Sequence, residues 1–324
     1  MKITLSLLVV LMLSSATGAA ATVGFQRVSV PDSDDKPRQV GIWYPSDAPA
    51  SAQLLGPHRQ TVAPDGGLVG KQLPLIVVLH GVQGSFENHY HTALALAEAG
   101  FVVAAVAQSQ EIRLVERPRH VARVLDYMLA AWPYQDRVDP TRIGIFGYSV
   151  GGFTALVTIG GVPDLSRITP YCAEYPDRVC GMLKERNVDT TTPSSAWVRD
   201  GRIKAAVVAA PTLGFTFGKD ALARIKVPMQ LWRAGNDDIT PHPRHAEAIY
   251  TALPTRPEYI VIPGAGHFAF LTCSAEMAKR APVICQDAPE FDRHAFHRAF
   301  KRWTGSTPHA FREARRRDRL ISTS

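Results

Sequence analysis

Several things this chain does not have narrow what it can be. Among its four cysteines no C-x-x-C pair with matched histidines occurs, which argues against a zinc site. Its basic residues are not interleaved with aromatics and form no nucleic-acid motif, although 36 Lys+Arg against 29 Asp+Glu leave a net charge of +7. The one long apolar run, Ile3–Leu13, is too short to span a bilayer, and no strongly apolar surface helix suited to a membrane is evident. Neither an internal repeat nor a second composition regime divides the 324 residues, so one domain is expected. No motif implies a metal or organic cofactor.

The amino-terminal stretch "MKITLSLLVVLMLSSATGAAA" has Lys2, then the apolar run, then small residues ending Ala19-Ala20-Ala21. This is the layout of a secretory signal peptide over residues 1–21, with the mature chain starting near Thr22. A retained anchor is the rival reading; no cysteine lies near the cleavage site, which argues against lipid attachment. The mature protein is expected in the periplasm or the medium. An oxidising compartment turns the four cysteines into two expected disulfides, and proximity favours Cys172–Cys180 and Cys273–Cys285 among three connectivities. Buried free thiols are the alternative. Residues 306–324, with "FREARRRDRL", read as a solvated basic tail.

From residue 75 onward, strand-like and helix-like segments alternate. "LPLIVVL", "FVVAAVA", "RIGIFG", "IKAAVVAA", "VPMQLWRAG" and "EYIVIPGAG" read as strands, the first as a buried parallel one. Between them "ENHYHTALALAEAG", "RPRHVARVLDYMLAAW", "VGGFTALVTIG" and "HAEAIYTAL" have helical spacing. Upstream, "QRVSV" and "RQVGIWYP" look like an antiparallel pair. The order predicts an α/β fold with a doubly wound, mostly parallel sheet over residues 22–305. Residues 45–73 read as a loop. Residues 161–204, polar and irregular, read as a loop-rich, lid-like insertion.

"IGIFGYSVGG" places Ser149 between Gly147 and Gly151, at a strand-to-helix junction. A G-x-S-x-G there is a nucleophile elbow: the glycines permit the sharp turn, and the serine oxygen projects. The hydroxyl needs a base, and this architecture predicts an acid and then a histidine, each just past a later strand. His267 follows the last strand in "YIVIPGAGHFAF", and Asp237 and Asp238 follow the previous one in "QLWRAGNDDITPH". Asp237 is the preferred acid and Asp238 the alternative. An oxyanion is expected to meet the backbone N–H groups of Val82, after "VVLHG", and Val150. His80 is expected to shape that loop, while His242 and His245 are expected at loop or surface positions.

These segments together resemble the α/β-hydrolase superfamily, and more narrowly its predicted dienelactone-hydrolase-like branch, close to platelet-activating-factor acetylhydrolase. The resemblance implies the α/β-hydrolase fold and a serine ester hydrolase with a Ser149–His267–Asp237 triad acting through an acyl-enzyme. The family's acid loop aligns onto Trp232–His242 and supports Asp237. Dienelactone hydrolases proper carry a cysteine nucleophile where this chain has Ser149, which favours a more general carboxylic ester, small or lipid-like. Polyester, feruloyl-type or amide hydrolysis on the same triad, and a non-catalytic binding protein of the same fold, are the alternatives.

Overall fold

The computed structural model describes residues 22–33, 36–108, 113–293 and 296. The expected signal segment, residues 1–21, and the basic tail, residues 306–324, lie outside them. The chain opens with β1 (Thr22–Val30) and β2 (Arg38–Ser46), an antiparallel pair in register at Phe25↔Trp43, followed by β3 (Ser51–Leu55) and β4 (His58–Pro64). Then come β5 (Leu73–Leu79), α1 (Tyr90–Glu98), β6 (Val102–Val106), α2 (Glu116–Ala130), β7 (Val138–Tyr148) and α3 (Val150–Thr158). Next are α4 (Ile168–Glu174), α5 (Arg178–Glu185), β8 (Ile203–Ala209), β9 (Met229–Ala234), α6 (Ala246–Ala252), β10 (Glu258–Ile262) and α7 (Ala275–Arg280).

β5 shows why its sequence has no alternation. Leu75, Val77 and Leu79 face one core, with Val121, Leu125 and Met128 of α2 and Phe153 and Leu156 of α3. Val78 faces a second core, with Ala93, Leu96 and Ala97 of α1. A strand covered on both faces must be apolar at every position. Each fully buried Leu or Val here stabilises the fold by roughly 1.5–3 kcal/mol. α1 stops where Gly100 takes φ +92°, a left-handed cap in which Phe101 N–H reaches the Leu96 carbonyl at 3.0 Å.

The sheet order is β10-β9-β8-β7-β5-β6-β2-β1-β4-β3. Parallel pairing runs unbroken from β10 to β6; β2 is antiparallel to both β6 and β1. This is the doubly wound, mostly parallel sheet expected. After β5 the chain places β6 on one side and β7 on the other. The carboxyl ends of β5 and β7 therefore flank a topological switch point, where open α/β sheets place their sites.

Two sequence expectations need correction. Residues 45–73 are not simply loop, because β3 and β4 form a hairpin and β4 runs parallel to β1. Its alternation is hidden because two inward positions are polar. His58 stacks on Tyr90 at 4.7 Å, and Gln60 Oε1 accepts from Trp43 Nε1 at 2.9 Å. The 161–204 insertion contains α4 and α5, too short for a clear helical period; the Asp177 side chain caps α5 by accepting the Cys180 N–H at 3.1 Å. Both expected disulfides are present: Cys172–Cys180 joins α4 to α5, and Cys273–Cys285 closes the segment containing α7.

Candidate active site

Ser149 occupies the turn between β7 and α3 with φ 56° and ψ −121°, a strained conformation for a residue with a side chain. Its backbone is held on both sides, the N–H by the Ala209 carbonyl at 3.0 Å and the carbonyl by the N–H of Thr212 at 3.2 Å. The glycines of the elbow are required by close approach. A Cβ at Gly147 would stand 2.2 Å from the Gly151 carbonyl oxygen, and one at Gly151 would stand 2.2 Å from that of Leu79. No side chain fits either place. The hydroxyl is thus presented at the end of β7, directly beside the end of β5.

His267 comes to the same point from the turn after β10, and Asp237 from the turn after β9. His267 Nε2 lies 3.0 Å from Ser149 Oγ, and His267 Nδ1 lies 2.8 Å from Asp237 Oδ2. An ionised carboxylate can only accept, so Nδ1 carries the proton and Nε2 is left to accept from the serine hydroxyl. Burial opposes ionisation of Asp237, but its electrostatic interaction and hydrogen bond with the His267 ring, together with the donors from Thr240, outweigh it and hold its pKa below the ordinary value. Asp238 points the other way and pairs with Arg178 at 2.8 Å, largely in solvent.

Several contributors were not evident from the sequence. Thr240 donates its backbone N–H to Asp237 Oδ1 at 2.7 Å and its hydroxyl to Oδ2 at 2.7 Å. The spacing of an Asp three residues before a Thr was the available signal, since short polar side chains commonly bond the backbone two or three residues on. Tyr148 donates its hydroxyl to the His267 carbonyl.

The loop after β5 lies against the elbow: a Cβ on Gly81 would be 3.1 Å from that of Ser149. Val82 follows, and Val150 is the first residue of α3, where a helix leaves its N–H groups without internal partners. His80 shapes this loop. Its Nε2 accepts from the Gln108 N–H at 3.0 Å, so Nδ1 bears the hydrogen and donates to the Gly81 carbonyl at 2.7 Å. Burial, helped by the Arg117 charge, lowers His80 to about 3 and keeps the ring neutral.

His245 lies in the turn before α6, as a loop position was expected, but it is not at the surface. It is fully buried, its Nε2 3.3 Å from Asp177 Oδ2, which also accepts from the Tyr171 hydroxyl at 2.6 Å. Tyr171 in turn stacks on Phe215 at 3.5 Å. Together with Arg178–Asp238, these contacts fasten the insertion to the loop that carries Asp237. His242 is exposed, as expected.

The sheet order, with the strained serine after β7 and the hydrogen-bonded histidine and carboxylate at later strand ends, is that of the α/β-hydrolase fold. The chain's similarities to known proteins support a place in the α/β-hydrolase superfamily. The sequence pattern of the acetyl xylan esterase (AXE1) family matches residues 126–280, a stretch that includes Ser149, Asp237 and His267. The chain is also similar to a bis(hydroxyethyl) terephthalate hydrolase of Streptomyces coelicolor, 26% identical over 187 residues, or 57% of this chain and 47% of that protein. It thus spans about half the length of that relative.

Proposed function

We propose that the protein is an exported serine hydrolase that cleaves carboxylic esters through an acyl-enzyme. The observation that carries this reading is the unbroken hydrogen-bonded series from Ser149 Oγ through the His267 imidazole to the Asp237 carboxylate. Ser149 attacks the acyl carbon while His267 Nε2 takes its proton. That proton then goes to the departing alcohol, and water repeats the sequence to release the acid. Asp237 keeps His267 in the useful tautomer and stabilises the imidazolium. The Val82 and Val150 N–H groups receive the oxyanion.

An ester substrate is supported by the acetyl xylan esterase pattern and by the terephthalate-ester hydrolase similarity. Within the superfamily, the serine at the elbow favours a general esterase related to the dienelactone-hydrolase-like branch. The insertion over 161–204 roofs the site, a role supported by its attachment to the acid loop. Export is supported by two disulfides.

The test is hydrolysis of p-nitrophenyl esters from acetate to decanoate, with acetylated xylan and bis(hydroxyethyl) terephthalate alongside, by wild type and Ser149→Ala. Turnover of at least one ester that disappears in the variant is expected. If wild type and variant are equally inert on all of these and on amides, the binding-protein alternative replaces the enzyme.

A further inference from the structure

Arg117 is a buried cation with no carboxylate partner among the described residues. It is 4% exposed, and burial draws its guanidinium down to about 9, which still leaves it charged at neutral pH. Its position adds to the cost, because it stands in the first turn of α2, where the helix dipole disfavours a positive charge. An apolar side chain of similar length would avoid both penalties.

Its contacts indicate what offsets them. Nη2 donates to the His80 carbonyl at 2.8 Å and Nε donates to Thr154 Oγ1 at 3.0 Å. Thr154 is itself fully buried in α3 and donates to the Val150 carbonyl at 2.9 Å. The His80 carbonyl is also packed by the elbow, since a Cβ on Gly151 would approach it to 2.8 Å. One planar fork therefore ties the strand end leading to Val82 to the helix that begins at Val150. A lysine could satisfy one of the two acceptors, but its single ammonium lacks the fixed fork that spans both.

We infer that Arg117 is a positioning residue for the oxyanion site, setting the separation between the Val82 and Val150 N–H groups by bridging His80 and Thr154. The inference rests on the esterase reading above. An oxyanion needs its donors at about 2.7–3.1 Å, a demand that arises in the transition state and hardly at all in the bound substrate. Loss of the bridge accordingly acts on kcat.

The test uses Arg117→Met and Arg117→Lys in the full mature chain, with kcat and KM for p-nitrophenyl acetate and active sites counted by a fluorophosphonate. Per titrated site, kcat is expected to fall roughly 10- to 100-fold in Arg117→Met, with KM within about threefold and Arg117→Lys intermediate. Should Arg117→Met not fold, Arg117→Lys decides alone, with about a tenfold loss expected. An unchanged kcat per titrated site overturns the inference, including the case where fewer sites titrate, because the arginine then only supports folding. A wild type that hydrolyses no ester overturns the esterase reading itself, and that is seen before any Arg117 variant is assayed.

Discussion

The hydroxyl of Tyr148 donates to the backbone carbonyl of His267 at 3.0 Å, so the residue before the elbow serine holds the turn that carries the histidine. The two rings also lie 5.1 Å apart. Burial, and then the nearby Asp237 charge, push the phenol well above its ordinary pKa, which keeps the donor protonated. Tyr148→Phe preserves the ring and leaves a buried carbonyl without its donor. A stability loss of about 1–3 kcal/mol is expected in denaturant unfolding. On the proposed mechanism kcat should also fall more than KM rises; full retention of both stability and kcat would show that this bond does not hold the turn.

The two adjacent aspartates should separate cleanly. Asp237→Asn keeps the shape but favours the wrong imidazole tautomer, and kcat is expected to drop by about 10⁴. Asp238→Asn breaks only an exposed pair with Arg178, so stability should change by less than about 1 kcal/mol and kcat by less than twofold. Equal losses in both variants would contradict the geometry at His267.

Gly151→Ala tests the elbow backbone. Its Cβ would meet the backbone of two strand-end residues, Leu79 and His80, which cannot rotate away as a side chain can. Destabilisation of at least about 1–3 kcal/mol is expected, with activity lost in whatever protein folds. A variant with wild-type unfolding and turnover would mean that the two strand ends can separate.

Acid should weaken the fold partly through Asp237. A carboxylate whose folded pKa lies below its unfolded one contributes fully above the unfolded value and loses that contribution as pH falls through the folded value. Stability is therefore expected to decline below about pH 4. Asp237→Asn, though less stable at neutral pH, should lose less stability than wild type between roughly pH 6 and pH 3. Parallel stability–pH curves would place the acid sensitivity elsewhere, for example at Asp177 beside His245.

Reducing the disulfides should be measurable one bond at a time. Each closes a short loop, with sequence separations of 8 and 12, for which chain entropy gives roughly 2–3 kcal/mol. Cys172→Ser with Cys180→Ser should lower stability by about that amount and also reduce kcat, because α4 and α5 bear Tyr171 and Arg178 against the acid loop. If reductant changes neither quantity, the Asp177–His245 contact alone suffices to hold the insertion.

The parallel core and the chain order of Ser149, Asp237 and His267 were legible in the sequence, because they depend on local rules. A strand buried on both faces has to be apolar throughout, and the elbow has to have small residues two positions either side of the serine. The hairpin of β3 and β4 was not legible, since His58 and Gln60 find their partners, Tyr90 and Trp43, only in the folded chain. The burial of His245 was hidden for the same reason: Asp177, 68 residues earlier, is what makes it tolerable. Asp237 and Asp238 are chemically identical, so only the direction of each side chain separates them. One turns in to His267 and the other out to Arg178, and that choice is made by tertiary packing. Residue type and order determined which chemistry this protein could hold; distances between segments far apart in the chain decided which side chains come together to hold it.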